Sequence, residues 1–272
     1  MATTFYLLRA LSNMHPGAGD ADFGIIDKHV QRDALTGLPT IHASSIKGSL
    51  RQLFETSPAA GITVTDVFGS SSRGDDDVGI NDLRQGDHIF YQAKLLGLPV
   101  RSNHQLYYLA TTPPLLADFL ADLQLMGGEF NGTAALQKII DLDRNLKPGE
   151  PRYLGPDAGE IQLEDLVAKN AGPHEDDLTA LFGERIAILH VDDFDRLAEE
   201  LPTVARNSLN NGISVNLWYE EIVPRETRFY CPVTSLNNDQ SLDAAVTHIN
   251  GLVQIGGNAT VGMGLTQWTP IQ

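Results

Sequence analysis

Residues 24–55 read GIIDKHVQRDALTGLPTIHASSIKGSLRQLFE, and they pass from a loop broken by glycine and proline into an amphipathic segment. Basic and histidine side chains gather around Asp27 in the loop. This pattern leaves two interpretations open. Either an anion lies there and Asp27 acts on it, or the segment is a solvated loop that leads into a helix.

The second half of the stretch, SSIKGSLRQLFE (44–55), is predicted to form a helix. Its apolar side chains recur at the spacing of one helical face: Ile46, Leu50, Leu53 and Phe54. Ser44 or Ser45 is the expected N-cap, because a serine hydroxyl accepts a hydrogen bond from the first free amides of a helix. Gly48 in mid-helix costs about 1 kcal/mol relative to alanine, so we expect something to approach the backbone there.

Outward from this helix, the chain alternates between predicted strands and helices. The segment TFYLLRALS (4–12) has the apolar run of a buried strand. Further strands are predicted at 88–98, 105–112, 184–191, 226–233 and 259–271. Amphipathic helices are predicted at 113–126, 192–201 and 241–255, and the last of these is expected to stop at Gly256-Gly257.

Two further segments complete the pattern. Residues 203–221 are predicted to form a hairpin that turns at Asn210-Asn211-Gly212, since an Asn-Gly pair readily adopts positive φ. Residues 141–177, rich in glycine, proline and acidic groups, are expected to be an irregular insertion. The order of strands and helices predicts an α+β fold with helices on one face of a sheet.

The length of 272 residues suits one large domain or two small ones. No apolar run reaches the roughly 20 residues of a membrane span, and the start MATTFYLLRAL lacks the features of a signal peptide. The single cysteine, Cys231, excludes an intramolecular disulfide and a cysteine cluster for zinc. We therefore expect a cytoplasmic protein without a membrane partner.

The formal net charge of −16 speaks at first against a nucleic-acid ligand, because phosphate-binding domains are usually basic. The distribution of charge changes this picture. Residues 52–200 carry 11 basic and 26 acidic side chains, whereas residues 1–51 have a net charge of +1. An anion can therefore meet the near-neutral segments while acidic insertions point elsewhere.

Three short motifs leave alternatives open. GGNATVGMG (256–264) is either a tight helix-to-strand corner or a phosphate cradle, and it matches neither a Walker A loop nor a dinucleotide turn. SSIK imitates a serine–lysine nucleophile, but serines that open a helix are more often N-caps or donors to an anion. LWYEE (217–221), taken alone, favours a cross-strand packing site over an acid/base pair.

A metal site is a further alternative near the N-terminus. The candidate ligands are His15, Asp20, Asp22, Asp27 and His29. No spacing typical of zinc, such as HExxH, supports a preformed site. A loosely held Mg²⁺, bound by one or two carboxylates and a substrate phosphate, is more compatible with these residues.

Taken together, motifs along most of the chain resemble the RAMP superfamily, and within it the repeated backbone subunit of the type III-B (Cmr) CRISPR effector complex. The motifs are HPGAG (15–19), GIIDKHVQRDALTGLPTIHASSIKGSLR (24–51), VFGS (67–70), LLGLPVRS (95–102), LWYEEIVPRET (217–227) and QIGGNATVGMGL (254–265). Residues from about 130 to 200 carry little of the resemblance and are expected to hold a variable insertion.

The resemblance implies one RAMP domain, residues 1–272, with an RRM-like, ferredoxin-type palm and a thumb hairpin at about 203–222. It implies an endoribonuclease that binds guide (CRISPR) RNA, stacks in a helical filament with copies of itself and with other subunits, and cleaves paired target RNA at regular intervals. Cleavage in the family needs a divalent cation such as Mg²⁺. The family's catalytic and metal-binding aspartate matches Asp27, and the positions around its phosphate match His15, Lys47 and either Glu220 or Glu221.

RNA binding is expected from the same segments. The N-terminal amides of the helix at 44–55 favour phosphate, and glycines let RNA lie close to the main chain. The expected contacts are Ser44, Ser45, Lys47, Gly48, Arg51, Arg206, Gly256, Gly257, Gly262 and Gly264. RNA is then held by phosphate and shape, since the guide supplies the sequence.

Two other functions remain open. One is a RAMP scaffold subunit that binds guide RNA without cleaving the target. The other is an unrelated, acidic, metal-dependent hydrolase of a small substrate.

Overall fold

The computed structural model describes residues 1–21, 24–57, 62–70, 84–156 and 159–272. The strands are β1 (Ala2–Ala10), β2 (Gly17–Ala21), β3 (Lys28–Val30), β4 (His88–Phe90), β5 (Lys94–Val100), β6 (Tyr108–Thr111), β7 (Arg152–Leu154), β8 (Glu160–Leu163), β9 (Leu166–Gly172), β10 (Ile186–Ile188), β11 (Thr203–Asn210), β12 (Ile213–Glu221), β13 (Arg228–Ser235), β14 (Leu252–Gln254) and β15 (Leu265–Pro270). The helices are α1 (Ala43–Thr56), α2 (Val64–Phe68), α3 (Pro113–Met126), α4 (Thr133–Ile140), α5 (Thr179–Phe182), α6 (Val191–Glu199) and α7 (Ser241–His248).

The centre of the molecule is an antiparallel sheet around β1. This strand pairs with β13 on one side and with β15 on the other, and β13 also pairs with β5. Successive side chains of a strand point to opposite faces, and residues 5–8 of β1 are all buried. The uninterrupted apolar run FYLL is therefore explained by a strand that is covered on both sides.

Helices cover both faces of this sheet, so the predicted α+β class is correct but the predicted one-sided layering is wrong. Tyr6 and Leu8 share a core with side chains of α1, α6 and α7. Phe5 and Leu7 share a second core with side chains of α3, α4 and α5. Because β1 is apolar at both alternating positions, each face needs its own helical layer to exclude water.

Residues 141–177 contain regular strands where the sequence predicted an irregular insertion. The sheet continues from β5 in the order β6, β10, β7, β9, β8. β7 has only three residues and β8 only four, while β9 has seven residues but one buried side chain, Ala168. These strands bury few side chains, among them Tyr153 and Ile161, and so give too little alternation to be predicted from sequence.

The C-terminal helix is shorter than predicted. It ends at His248, because Asn250 and Gly251 have positive φ values of 54° and 69° and turn the chain into β14. A Cβ added to Gly251 would lie 2.1 Å from the carbonyl oxygen of Trp268, so this corner needs glycine. The final strand, β15, begins at Leu265 rather than at 259.

A second sheet of four strands carries the segments that hold the candidate site residues. Its strands β11 and β12 form the predicted hairpin, and Asn211 and Gly212 in the turn have positive φ. At its base, β12 pairs parallel to β3 at Glu220 and Lys28, and β3 pairs with β2. The base of the hairpin therefore lies beside the loop that contains Asp27.

Within the described ranges, no helix combines the length and the apolar character needed to cross a membrane. Cys231 is buried in β13. Burial raises the pKa of its thiol well above the ordinary range, so the thiol is unreactive at neutral pH.

Candidate active site and nucleic-acid interface

Five segments meet at the base of the hairpin: residues 13–17, residues 27–31, the start of α1, the end of β12 and the turn at 256–258. His15, in the first of these segments, contacts the turn and the end of β12 directly. Its carbonyl oxygen accepts the Gly257 amide (3.0 Å), and its ring Nδ1 lies 2.7 Å from the carbonyl oxygen of Glu221. The structure thus brings together the predicted catalytic loop, the two glutamates and the glycine-rich turn.

Asp27 lies at the edge of this cluster and is partly exposed. Its amide donates to the carbonyl oxygen of Tyr219 (3.0 Å), and the Tyr219 amide donates to Oδ2 of Asp27 (2.8 Å). No basic side chain in the described part of the chain forms an ion pair with Asp27. Oδ1 is therefore the carboxylate oxygen that a substrate or a cation can reach.

His15 is buried beneath the glycine-rich turn. Because a carbonyl oxygen only accepts hydrogen bonds, its contact with Glu221 places a hydrogen on Nδ1 and leaves Nε2 as the second functional nitrogen. A Cβ added to Gly17 would lie 3.0 Å from Nε2, so glycine keeps space beside that atom. Asp27 is anchored by Tyr219 and His15 by Glu221. Tyr219 and Glu221 are two residues apart on β12, so the two anchor points are about 7 Å apart along the strand.

Glu220 is 1% exposed and is saturated by partners within the chain. Its Oε1 accepts from Lys28 (3.0 Å) and Trp218 (2.7 Å), and its Oε2 accepts from Asn258 (2.7 Å) and lies 3.5 Å from Nε of Arg206. Burial by itself would raise the pKa of Glu220. The hydrogen bonds from Trp218, Lys28 and Asn258 outweigh burial and hold this pKa below its ordinary value.

Glu221 is 2% exposed, so both glutamates point inward. Its Oε1 accepts from Arg32, and its Oε2 accepts the Val30 amide (3.0 Å) and lies 3.3 Å from Nδ1 of His29. These contacts tie β12 to β3 and to the loop that follows β3. Like its neighbour, Glu221 has no oxygen without a partner.

These contacts give the cation-rich loop a different role from the one the sequence suggested. Lys28 pairs with Glu220 and Arg32 pairs with Glu221, while His29 lies beside Glu221, and none of the three forms an ion pair with Asp27. Buried carboxylates need such partners, because an unpaired buried charge is strongly destabilising. The two glutamates therefore position the strands and cations around the site, and neither presents an oxygen to a phosphate.

The start of α1 differs from the prediction. The helix begins at Ala43 with His42 as its N-cap, so the predicted serine N-cap is wrong, and no side chain of the cap residue bonds to the helix. Instead, the side chain of Gln31 accepts the His42 amide (2.7 Å) and donates to Oγ of Ser45 (2.9 Å). Ser44 is exposed, and the first turn contains no acidic residue. The first amides of α1 are thus open to an anion.

Lys47 and Gly48 continue this open surface along α1. Lys47 is half-buried and forms no ion pair with the described residues. A Cβ added to Gly48 would have no neighbour within 4 Å, so no described part of the chain requires glycine there. Both features are those expected where a phosphate approaches from outside.

Arg51 and Arg206 are engaged within the chain. Arg51 donates from Nε to Oε1 of Glu55 (2.7 Å) and from Nη1 to the carbonyl oxygen of Gly69 (2.9 Å). Arg206 lies against the buried Glu220. Any phosphate contact of these two arginines would have to share donors that already hold α1 and the hairpin in place.

The glycines of the 256–264 turn fall into two groups. A Cβ added to Gly256 would lie 2.6 Å from the carbonyl oxygen of His15. A Cβ added to Gly264 would lie 2.1 Å from the carbonyl oxygen of Ile255. The packing of the chain itself therefore requires these two, and Gly264 is buried, which contradicts its predicted contact with RNA. Gly257 and Gly262 are exposed and have no such close neighbour.

In the described ranges, no three His, Cys, Asp or Glu side chains are arranged to hold a metal ion. The predicted candidates Asp20 and Asp22 lie outside the side chains that the structure describes. Asp27 offers one free carboxylate oxygen. A single carboxylate does not fit zinc, but it fits a Mg²⁺ ion that is shared with a substrate phosphate.

A family model described as the RAMP superfamily matches residues 7–267. The chain belongs to the RAMP superfamily. The match begins in β1 and ends in β15, so it includes the central sheet, the hairpin and every segment of the candidate site.

Several known proteins are similar to this RAMP chain. The CRISPR system Cmr endoribonuclease Cmr4 of Pyrococcus furiosus is 31% identical over 283 residues, which cover 96% of this chain and 93% of that protein. A type III-B Cmr-beta structure bound to cognate target RNA has a TM-score of 0.77 at 22% identity and covers 99% of this chain and 97% of its own. Oligomeric Cmr4 from Pyrococcus furiosus has a TM-score of 0.66 at 24% identity, over 100% of this chain and 99% of its own. The two structural matches confirm the predicted α+β fold.

The sequence did not single out Gln31 and Asn258, which hold this RAMP site together. Gln31 joins the carbonyl oxygen of Gly17, the amide of His42 and the hydroxyl of Ser45. Asn258 joins the glycine-rich turn to the hairpin through Glu220. Both lie inside segments that resemble the family, but an uncharged amide in a loop resembles an ordinary surface residue until its hydrogen-bond partners are known.

Proposed function

We propose that this chain is a guide-RNA-binding backbone subunit of a type III-B CRISPR effector complex and that it cleaves guide-paired target RNA. The 31% identity to a Cmr4 endoribonuclease over nearly the whole chain supports this function. One observation carries the cleavage step. Asp27 is held by Tyr219 at a partly exposed edge of the site, with one carboxylate oxygen free.

The central sheet corresponds to the RRM-like, ferredoxin-type palm in this proposal. Along the chain, β1, α1, β5, β13, α7 and β15 follow the β-α-β-β-α-β order of that fold. In the sheet, the neighbours are β15, β1, β13 and β5, all antiparallel. The hairpin of β11 and β12 would be the thumb of a single RAMP domain, and the helices and strands between 130 and 200 would be its variable insertion.

The RNA would lie across the start of α1 and the glycine-rich turn. The open amides of α1, the cation of Lys47 and the exposed backbone at Gly48 together suit a phosphate. Gly257 and Gly262 leave the backbone of the neighbouring turn accessible. Contacts of this kind read phosphate and shape, so the guide RNA itself would select the target sequence.

In the cleavage step, the 2′-OH of the target RNA attacks the adjacent phosphorus, and the bond to the 5′ oxygen breaks. Asp27 would accept the proton of the 2′-OH at Oδ1 as a general base. His15 already carries a hydrogen on Nδ1, so its Nε2 must also be protonated to donate to the leaving 5′ oxygen. Lys47 would offset charge on the phosphate oxygens.

Mg²⁺ or another divalent cation belongs to this proposal. The carboxylate of Asp27 would hold it together with the RNA phosphate, as Mg²⁺ sites with few protein ligands do. When bound, the cation would supply positive charge that stabilises the phosphate in the transition state.

The hairpin would act on the guide–target duplex and on neighbouring copies. Alternate side chains of β12 form an exposed apolar stripe: Ile213, Val215, Leu217 and Tyr219. An exposed apolar face of this kind suits unstacked bases or a protein partner. We propose that copies of the chain stack along the guide with the other subunits in the cytoplasm, and that each hairpin bends one position of the duplex.

Reconstitution of the complex with a guide RNA and a labelled target tests this function. Regularly spaced cuts within the paired region are expected with Mg²⁺, and none with a chelator or an unpaired target. A matched target that binds and is never cut would instead identify a non-cleaving scaffold. A monomeric chain that carries no RNA and hydrolyses only a small substrate would identify the metal-dependent hydrolase.

A further inference from the structure

We propose a second ligand site, separate from the RNA site, in a cavity between the central sheet and the turn that joins α5 to β10. The cavity encloses about 280 Å³ and is lined by three arginines, Arg9, Arg185 and Arg228. Three guanidinium groups at one cavity need an explanation in a chain with a net charge of −16. We infer that the ligand is a small phosphate-bearing molecule such as a nucleoside monophosphate.

Arg228 supplies a buried and incompletely used guanidinium. It is 7% exposed, and its Nη1 donates to the carbonyl oxygen (2.8 Å) and to Oε2 (3.2 Å) of Glu226. Its Nε and Nη2 have no partner among the described residues. Burial lowers the pKa of Arg228 despite the neighbouring carboxylate of Glu226. The two remaining donor groups are available on a wall of the cavity.

Arg185 supplies a second guanidinium that is held in place by stacking. Its Cζ lies 4.9 Å from the ring centroid of Tyr107, and stacking of this kind orients the planar group. No carboxylate in the described part of the chain forms an ion pair with it. Arg185 lines the cavity, and its guanidinium donors have no hydrogen-bond partner among the described residues.

The carboxylates at the site do not balance the arginines. Glu226 accepts from Nε (3.1 Å) and Nη2 (2.8 Å) of Arg9 as well as from Arg228. Glu226 has φ of 76°, a conformation that is uncommon for a residue with a side chain and that often marks functional sites. Glu226 lies outside the lining of the cavity, and the acidic residue of the lining is the exposed Glu184. The three arginines therefore have two carboxylates as neighbours, and only that of Glu184 belongs to the cavity wall.

The donors that remain suit a phosphate better than a carboxylate. A tetrahedral phosphate offers three oxygens, so it can accept from the forks of Arg185 and Arg228 on different sides. Gln267 and Thr269 add polar groups, and Leu7 and Phe182 add apolar surface. The volume lies at the lower limit of ligand pockets and fits a mononucleotide rather than a strand of RNA.

Equilibrium dialysis of the purified full-length chain with labelled AMP tests this site, with inorganic phosphate as the competitor. Saturable binding that phosphate displaces is expected. Arg185→Ala should weaken binding about tenfold or more, because one charge-assisted contact is lost. Arg101→Ala is the matched control, since it removes an exposed arginine whose partner, Glu164, lies outside this cavity.

Arg185 is chosen because it donates no side-chain hydrogen bond to the described residues, so its loss should leave the fold intact, as a thermal melt can verify. Arg185→Lys, which keeps the charge but removes the fork, should give an intermediate affinity. Target cleavage by the reconstituted complex should be unchanged in Arg185→Ala, which separates this inference from the proposed function. Absence of saturable AMP binding, equal binding by Arg185→Ala, or loss of guide binding in that variant would overturn it.

Discussion

Asp27 and Tyr219 exchange two hydrogen bonds across the loop and the hairpin. The amide of Asp27 donates to the carbonyl oxygen of Tyr219 (3.0 Å), and the amide of Tyr219 donates to Oδ2 of Asp27 (2.8 Å). This exchange orients the carboxylate by main-chain groups alone and leaves Oδ1 free. The proposed base is therefore bonded directly to a strand of the proposed thumb.

Asp27→Asn should strongly reduce cleavage without disturbing these two hydrogen bonds. An asparagine oxygen still accepts the Tyr219 amide, but the amide group cannot take a proton, so cleavage should fall about 10²–10⁴-fold. Guide binding and the melting temperature should stay at the wild-type level. Asp118→Asn, on the exposed side of α3, is the control. Wild-type cleavage rates in Asp27→Asn would remove Asp27 from the mechanism.

Gln31→Leu should weaken both stability and cleavage. The substitution leaves the carbonyl oxygen of Gly17 and the amide of His42 without partners, which should lower the free energy of unfolding by about 1–3 kcal/mol. Single-turnover cleavage should slow because the start of α1 is no longer tied to the Asp27 loop. Urea denaturation and single-turnover kinetics measure the two effects. Gln52→Leu, an exposed position on α1, should change neither.

Glu220→Gln should destabilise the protein in a pH-dependent way. The pKa of Glu220 is lower in the folded chain than in the unfolded chain, so its stabilising contribution is complete above the ordinary glutamate pKa of about 4.3. The contribution is lost as the pH falls through the lower folded value. The loss at pH 7 should be about 1–3 kcal/mol, since buried donors lose their charged acceptor.

Chemical denaturation of wild type and Glu220→Gln between pH 7 and pH 3 measures this difference, which should shrink toward the acidic end. Glu160→Gln is the control, because Glu160 is exposed at the start of β8. A difference that stayed constant across this range would show that the ionised form of Glu220 is not what stabilises the hairpin base.

Lys47→Ala should reduce the affinity for guide RNA and its salt dependence. Loss of one phosphate contact lowers the slope of log affinity against log salt by about 0.7–0.9. Filter binding over a series of salt concentrations provides both quantities. Lys138→Ala removes an exposed lysine that pairs with Glu175, and its binding should match wild type. An unchanged slope in Lys47→Ala would place the guide elsewhere.

Leu217→Ser should leave stability nearly unchanged but impair target cleavage. Leu217 is 55% exposed on the hairpin, so the free energy of unfolding should change by less than about 0.5 kcal/mol. Loss of apolar contact with unstacked bases should weaken the regular ladder of cleavage products on a denaturing gel. Val167→Ser changes a similarly exposed residue of β9 and should leave the ladder intact. Equal ladders in both variants would contradict the role of the hairpin face.

Local patterns in the sequence determined several elements. The helix predicted at 113–126 has the bounds of α3, and the turn at Asn211 and Gly212 forms where their φ preferences place it. The apolar run of β1 identified a buried strand. These features depend on backbone preference and on side-chain periodicity over a few residues, which are present in any short window of the chain.

Only the tertiary structure decided how the charged groups are paired. Lys28 and Glu220 are 192 residues apart in sequence and meet because β12 pairs with β3. At that junction the buried Glu220 pairs with Lys28 and the buried Glu221 pairs with Arg32. Asp27 lies at the edge, with one carboxylate oxygen free. Likewise, the start of α1 bonds to Gln31 from a preceding loop and not to its own serines. Burial and charge pairing depend on groups brought together from distant positions, and such proximity cannot be seen in local sequence.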